Sequence, residues 1–366
     1  MNILIFSKRQ YTGKDLLDDE FGRLYEIPSV LSERQNRVIV FVLSYRRRLQ
    51  GKVVKDGAPF MDWYSFNVCS LFFGIYFFKL KEAIKNNKPD VVWASSDILH
   101  CLIGFAVARL LKVPIVIDLY DNYESFSASK LPLLKFLFRR ICRKVDAITV
   151  VSRSLRNMMV GRMEGNIPVY IIPNAVRKDV FFKRNRDCCR EKLGLPTDAI
   201  IIGTAGAISE DRGIQDLFKA FQHLEQRNIR ICLAYAGPSK NERIRLTGAN
   251  VFDFGVLPIE EVGVLVSALD VAIVCNKEND FGSFCFPLKL MEFVSAEVPF
   301  VSAAVGDMRS LLSQRADCLY EPGSWKDLSE KIFNKLKTPD ACGLPASPSW
   351  EDSAILLEKT LQKVIT

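Results

Sequence analysis

Two stretches of the sequence carry residues whose types and spacing suit an anionic ligand. The first runs Ile202-Gly203-Thr204-Ala205-Gly206-Ala207-Ile208-Ser209-Glu210-Asp211-Arg212-Gly213. Its small residues let backbone come close to a ligand, and a helix start behind them favours negative charge. Arg212 stands at that junction, where a guanidinium can pair with two phosphate oxygens. The spacing is not that of a GxGxxG dinucleotide fingerprint. The same residues also read as an ordinary strand-to-helix turn with a surface arginine. The second stretch is Phe281-Gly282-Ser283-Phe284-Cys285-Phe286-Pro287-Leu288-Lys289-Leu290-Met291-Glu292-Phe293. Lys289 and Glu292 fall on one helix face. A cation near the helix start suits a diphosphate, and a carboxylate one turn later suits the paired hydroxyls of a sugar. Taken alone, the pair also reads as a surface Lys–Glu contact.

The elements that must hold these residues follow from hydrophobic patterning. Apolar runs rich in Val and Ile recur at Asn2–Phe6, Val38–Leu43, Asp90–Ala94, Pro114–Leu119, Ala147–Val151 and Pro168–Ile172. They recur again at Ala199–Thr204, Arg230–Ala236, Asn250–Phe254, Asp270–Cys275 and Pro299–Ala303. Continuous rather than alternating runs are those of strands buried on both faces. Helical spacing fills most of the gaps, including Leu24–Ser32, Phe72–Lys85, Leu99–Leu111, Leu131–Lys144, Gly213–Gln226, Pro258–Ala268, Pro287–Ala296 and Ser324–Lys337. Repeated βα order implies parallel sheets, and two such blocks imply two doubly wound domains. The break is expected near Asn174–Arg186, dividing residues 1–178 from 179–345. Helical spacing at the end suggests a last segment, 346–366, crossing back to the first domain.

Composition agrees. A chain of 366 residues is long enough for two cores, and 49% hydrophobic with 25% charged residues excludes a disordered or collagenous protein. No run of 18 apolar residues suggests a membrane span, and the start MNILIFSKRQ reads as a first strand rather than a signal peptide. Ten cysteines lack any CxxC pair, which reads as reduced thiols in a cytosolic protein. With two histidines, a histidine-rich metal site is excluded. Residues 1–180 hold 28 Lys+Arg against 17 Asp+Glu, or +11, and residues 181–366 hold 22 against 25, or −3. The basic half points to an anionic partner. Nucleic acid is disfavoured, because no recognised binding module appears.

The ordered set of segments resembles a known family. Gly206-Ala207-Ile208 with Arg212-Gly213, then Ala234-Tyr235-Ala236-Gly237-Pro238, Phe254-Gly255-Val256-Leu257-Pro258, Asp270-Val271-Ala272-Ile273-Val274 and Pro287-Leu288-Lys289-Leu290-Met291-Glu292 are similar to the nucleotide-sugar half of family 4 retaining glycosyltransferases. In the first half Phe21–Pro28, Lys88–Val92, Asp118–Glu124, Val150–Ser152 and Ile172–Ala175 resemble family segments in the expected order. The resemblance implies an α/β protein of GT-B fold: two facing Rossmann-like doubly wound domains with a deep interdomain cleft. It implies a retaining transferase of hexosyltransferase type that needs no metal and no cofactor. A nucleotide sugar would be the donor and a glycan or lipid-linked molecule the acceptor, in cell-envelope polysaccharide or glycolipid synthesis.

Carried over residue by residue, Arg212 matches the cation that binds the donor diphosphate, and Glu292 matches the acid that holds the ribose hydroxyls. Lys289 belongs to a Pro-x-Lys-x-x-Glu variant and supplies positive charge that Ala207 lacks. Gly206, Ala207 and the backbone amides of Ser283 and Phe284 would face the diphosphate or sugar, while Val256 and Leu257 would border the base. The family's first acid falls at Phe284 and its frequent histidine at Tyr120, so both are absent here. On the acceptor side the candidates are Tyr120, Asp121, Glu124 and His100, with Asp121 joining Arg212 and Lys289 as catalytic candidates. Asp121 and Glu124 also read as a turn and helix cap, and His100 as a structural histidine. The substitutions leave a second reading open, a non-catalytic GT-B scaffold or sugar-nucleotide-binding protein.

Leu131–Lys144 reads LPLLKFLFRRICRK, with Lys135, Arg139 and Arg143 at four-residue spacing beside Leu134, Leu137, Phe138 and Ile141. Tyr45–Arg48, Lys52 and Lys55 add a second basic cluster, and Trp63–Phe78 is uncharged and aromatic. Such features suit peripheral docking on the anionic inner face of a membrane by a cytoplasmic protein. A solvated basic face over a normal core helix is the alternative.

Overall fold

The computed structural model describes residues 1–11, 14–53, 60–68, 73–126, 131–162, 166–227, 230–239, 241–340, 343–344 and 347–366. Lys55 and residues 69–72 of the aromatic stretch lie outside this set. The chain divides into two compact units, Met1–Ala175 with Trp350–Thr366, and Val176–Ser349.

In the first unit the strands are β1 (Asn2–Lys8), β2 (Gln10–Tyr11), β3 (Lys14–Asp15), β4 (Arg37–Ser44), β5 (Gly51–Val53), β6 (Met61–Asn67), β7 (Val91–Ala94), β8 (Ile115–Leu119), β9 (Ala147–Val150) and β10 (Val169–Ile171). Eight of them form a sheet in the order β10-β9-β8-β7-β1-β4-β6-β5. All its pairings are parallel except β5 with β6. β2 and β3 make a small antiparallel hairpin. The helices are α1 (Arg23–Glu33), α2 (Phe73–Asn86), α3 (Ile98–Leu111), α4 (Pro132–Cys142) and α5 (Arg153–Arg162). Val91–Ala94 and Ile115–Leu119 are buried at every position, as strands covered on both faces must be.

The second unit holds α6 (Arg186–Leu193), β11 (Ile200–Ala205), α7 (Ile214–Glu225), β12 (Ile231–Ala236), β13 (Val251–Asp253), α8 (Ile259–Ala268), β14 (Val271–Val274), α9 (Leu288–Ser295), β15 (Phe300–Ala303), α10 (Asp307–Leu311), β16 (Leu319–Tyr320) and α11 (Trp325–Lys337). Its sheet is wholly parallel, in the order β13-β12-β11-β14-β15-β16. A last helix, α12 (Trp350–Ile365), belongs to the first unit. Glu358 on α12 accepts from Arg34 (2.9 Å) and Asn36 (2.7 Å), and Ser353 donates to the Pro173 carbonyl (2.8 Å).

Patterning missed several elements. Strand β6 alternates polar and apolar residues, but Met61, Trp63 and Phe66 are buried, so its part of the aromatic stretch serves the core, while Ile75, Phe77 and Phe78 on α2 are exposed. Helix α6 begins where a polar linker was expected. Its buried face is Cys189 and Arg190, and Arg190 reaches Asp270 (2.6 Å) and the carbonyls of Ala199 (3.1 Å) and Ala268 (3.0 Å). A basic residue making the packing contact hides the helix from hydrophobic periodicity. The reading of reduced thiols also needs a correction: Cys101, Cys142, Cys188, Cys189, Cys232, Cys275 and Cys285 are free, but Cys318 is disulfide-bonded. Among the described residues, no helix is long and apolar enough to cross a membrane.

A charge pair without access to solvent ties the first unit together. Arg23 on α1 meets Asp118 on β8 through two bonds, of 2.6 and 3.0 Å, and both side chains are 0% exposed. Asp118 also accepts from Ser95 (2.8 Å) and Thr149 (2.7 Å), while Arg23 donates to the Ile172 carbonyl (2.8 Å). Removing one partner strands a buried charge. Arg23→Ala is therefore expected to destabilise the protein by about 3–5 kcal/mol. Urea unfolding would measure it, and a loss under about 1 kcal/mol would contradict this account.

Candidate active site

In an open parallel sheet the chemistry gathers just beyond the carboxyl ends of the strands. Each unit carries one such cluster. In the second unit β11 ends at Ala205, and Gly206 follows with φ 126°, a backbone conformation that glycine alone adopts easily. Its N–H donates to the Ala236 carbonyl (2.8 Å). The Lys289 side chain from α9 lies directly on this glycine: a Cβ built on Gly206 would stand 2.4 Å from Lys289 Cε and 2.7 Å from Nζ. The two motifs, distant in sequence, therefore meet.

Arg212 closes a single 3₁₀ turn, Glu210–Arg212, before α7, and its guanidinium carbon stacks 3.6 Å from the centre of the Phe281 ring. That contact fixes the guanidinium plane. Burial holds the Lys289 ammonium below its usual range, and the nearby Arg212 charge adds to the effect. Burial pushes the Glu292 carboxyl up to about 7, against the pull of Lys289. Arg212, Lys289 and Glu292 thus share one electrostatic neighbourhood. Among the described residues, neither the Lys289 nor the Glu292 side chain has a hydrogen-bonded or ion-paired partner within the protein.

Other donor-side candidates fall out differently. Ala207 is half-buried beside Gly206. Leu257 packs partly on the core and Val256 is exposed. The Ser283 amide donates to the Asn279 carbonyl (2.9 Å) and the Phe284 amide to that of Phe281 (3.3 Å). Both amides are thus engaged within their own loop. Asn279 organises that loop: its Oδ1 accepts from the amides of Phe281 (3.1 Å) and Gly282 (2.8 Å), and its Nδ2 donates to the Asp211 carbonyl (3.0 Å). Phe281 and Asn279 were not singled out from sequence, since an aromatic and an amide in a loop carry no spacing signal.

In the first unit His100, on the first turn of α3, is wholly buried. Its Nδ1 lies 2.7 Å from Asp97 Oδ1, and Tyr45 donates to Asp97 Oδ2 (3.0 Å). Burial works against the Asp97 carboxylate, but the His100 contacts outweigh it and hold the group below its usual range. Among the described residues, the buried His100 Nε2 has no hydrogen-bond partner. Tyr120 donates to the Ser96 carbonyl (3.1 Å), and Asp121, nearly buried, accepts from the Asn122 amide (2.7 Å). Lys8, at the end of β1, feels both Asp97 and Asp121, and burial depresses its pKa against their attraction. His100, Tyr120 and Asp121 therefore share one strand-end cluster with Lys8, Tyr45 and Asp97. Lys8 and Asp97 went unremarked in the sequence, although Lys8 ends β1 and Asp97 follows shortly after β7, and Tyr45 was noted only as part of a basic cluster. Glu124 is apart from them, engaged by Arg139 (2.6 Å), Lys135 (3.3 Å) and Arg162 (3.4 Å).

Residues 23–180 match the family model described as Glycosyltransferase Family 4, and residues 199–337 match that of Glycosyl transferases group 1. The chain is similar to sucrose-phosphate synthase from Thermosynechococcus elongatus, with a TM-score of 0.76 at 16% identity over 99% of this chain and 98% of that one. It is also similar to Anabaena HepE in complex with UDP-glucose, with a TM-score of 0.67 at 16% identity over 100% and 98%. The alpha-monoglucosyldiacylglycerol synthase of Streptococcus pneumoniae is 21% identical over 78% of this chain and 70% of its own length. The sulfoquinovosyl transferase of Arabidopsis thaliana is 22% identical over 69% and 51%. Two parallel α/β units with these matches define a glycosyltransferase of the GT-B fold. Within that class the first part of the chain is the one that matches the Glycosyltransferase Family 4 model, and the second part the one that matches Glycosyl transferases group 1.

The Gly206–Lys289 contact yields a coupled prediction. Gly206→Ala should displace the lysine and lower transferase activity roughly as much as Lys289→Ala does, and the double variant should be little worse than either alone. Fully additive losses in a double-mutant cycle would show that the glycine acts independently of the lysine.

Proposed function

We propose that this glycosyltransferase is a retaining, metal-independent hexosyltransferase that takes its sugar from a nucleotide-sugar donor. The acceptor would be a glycan or a lipid-linked molecule of cell-envelope polysaccharide or glycolipid synthesis. The observation that carries the donor side is the unpartnered pair Lys289 and Glu292 beside Gly206 and Arg212. Both side chains are half-buried and lack partners within the protein among the described residues, so the arrangement is one that a ligand reaching them completes. A diphosphate with a ribose supplies both missing partners: phosphate oxygens for the Lys289 ammonium and paired hydroxyls for the Glu292 carboxylate. The UDP-glucose bound by HepE supports a donor of this kind.

When the glycosidic bond to the diphosphate breaks, negative charge grows on the leaving oxygens. Arg212 and Lys289 would stabilise that charge more in the transition state than in the ground state. Fixed by Phe281 and by the Gly206 surface, they need little reorganisation as it develops. Retention of configuration is carried over from the family, and no dedicated nucleophile is assigned. On the acceptor unit, Asp121 with Tyr120 and His100 would orient the accepting hydroxyl, while Glu124 acts through the α4 and α5 cations it holds. The exposed Leu133 and Phe136 of α4 beside Arg140, Arg143 and Lys144 support peripheral docking of a cytoplasmic enzyme on an anionic membrane face.

The scaffold alternative makes the opposite forecast. With a panel of nucleotide sugars, Arg212→Ala and Glu292→Ala are each expected to lower kcat/KM by about 100-fold. Equal weak activity in wild type and both variants would favour a non-catalytic sugar-nucleotide binder. Glu292 also sets a pH dependence. Its folded pKa lies above the ordinary 4.5, so its protonation favours the folded state below 4.5, and that contribution fades as pH rises through about 7. Ribose hydroxyls donate to the carboxylate form, so donor affinity should strengthen over the same rise. Calorimetric titration at several pH values should show this in wild type and a flat profile in Glu292→Gln. A flat wild-type profile would contradict the assignment.

A further inference from the structure

Beyond the strand-end clusters, the first unit has a cavity of about 260 Å³ between the turn Tyr123–Ser125, α4 and α5. Phe138, Cys142 and Met159 contribute apolar walls, and Glu124, Arg139, Arg143 and Arg162 contribute charged ones. Glu124 is already matched. Burial works against its carboxylate, but hydrogen bonds from Arg139 and Lys135 outweigh that and hold it below the usual range. Three cations, Lys135, Arg139 and Arg162, engage this single carboxylate and Arg143 also lines the cavity, so the neighbourhood keeps an excess of positive charge. Arg143 is exposed and has no ion pair among the described residues. Half-exposed Arg139 and Arg162 touch Glu124 on one side and leave guanidinium donors on the other.

The same helix presents apolar side chains to solvent one end earlier. Leu133 is 68% exposed and Phe136 is 59% exposed, with Leu131 at 60% just before the helix. Phe136, Arg140 and Arg143 follow i, i+4, i+7 spacing, so they form one stripe along α4. At a rise of about 1.5 Å per residue, Arg143 stands roughly 10 Å along the helix from Phe136. An apolar leading end and a cationic trailing end at that separation match the step from acyl chains to phosphates at a membrane surface.

We propose that this cavity is a binding site for the phosphate of an anionic phospholipid headgroup, with Arg143 and Arg162 as its principal donors and Leu133 and Phe136 set into the acyl boundary. The inference rests on the docking reading above and deepens it. A phosphodiester oxygen in the cavity would complete the hydrogen bonding of Arg143 and Arg162, while Glu124 holds Arg139 in place. The site is distinct from the donor cluster and from the Asp97–Asp121 cluster, so it governs where the enzyme works rather than what bond it makes.

Two measurements on the full chain test it. The first is titration with sn-glycerol 3-phosphate, a soluble headgroup fragment, and in parallel with inorganic phosphate. The second is co-sedimentation with phosphatidylcholine vesicles, with and without phosphatidylglycerol. Arg143→Gln and Arg162→Gln are expected to weaken sn-glycerol 3-phosphate binding by about tenfold or more. Arg140→Gln, the same charge loss outside the cavity, should leave it unchanged. Leu133→Ser with Phe136→Ser should reduce vesicle binding yet leave the soluble titration intact. Wild type should sediment with the phosphatidylglycerol vesicles only. If Arg140→Gln matches the cavity variants, or wild type does not bind sn-glycerol 3-phosphate, the site is wrong although docking by surface charge could stand. If inorganic phosphate binds as well and no vesicle is bound, the cavity takes free phosphate, and both the lipid assignment and the docking reading fall.

Discussion

A carboxylate and a guanidinium sealed from water at the middle of the first unit set the terms for everything around them. Asp118 must be matched by donors on every side, and those donors come from α1, β9 and the residue after β7. The Arg23 that satisfies it also grips the carbonyl of Ile172, just before the chain leaves the unit. Helix, sheet and exit are therefore locked in one register by a single electrostatic requirement. Tyr120 and Asp121 follow Asp118 directly, so the position of the acceptor candidates is inherited from this buried knot.

The second unit solves a related problem by leaving it open. Its structural charges are closed internally, as Arg190 and Asp270 show, with the Ile201 amide also donating to Asp270 (2.7 Å). Among the described residues, the Lys289 and Glu292 side chains of its candidate site are not closed in this way. Lys289 rests against a glycine, a contact that directs the cation without neutralising it, and Arg212 stacks on a ring. The contrast between charges paired for stability and charges held apart for a ligand is what separates scaffold from site in this protein.

Much of this was legible in the sequence because burial on both faces leaves an uninterrupted Val/Ile signature, as at Val91–Ala94 and Ile115–Leu119. Family resemblance then drew Arg212, Lys289 and Glu292 together. Elements packed through polar atoms escaped. Helix α6 hides because Arg190 is its buried residue, and β6 hides because half its side chains are only partly covered. The approach of Lys289 to Gly206 depends on a fold-level meeting of two distant segments, which no local pattern encodes. Lys8 and Asp97 could have been found by asking what stands after each strand. Glu124 shows the converse: its place in the Asp118–Glu124 segment suggested the site, and its carboxylate is held by cations of α4 and α5, which the segment alone does not reveal.

The return of α12 to the first unit has a consequence for biosynthesis. The whole second unit, Val176–Ser349, is translated between the main part of the first unit and α12, so Ala354, Leu357 and Leu361 reach the ribosome exit only after both sheets have been made. Until then the surface of α1 that they cover stays bare, and the nascent first unit carries an unshielded greasy stripe throughout most of its synthesis. Chaperone contact during that interval would fall on the very helix that delivers Arg23.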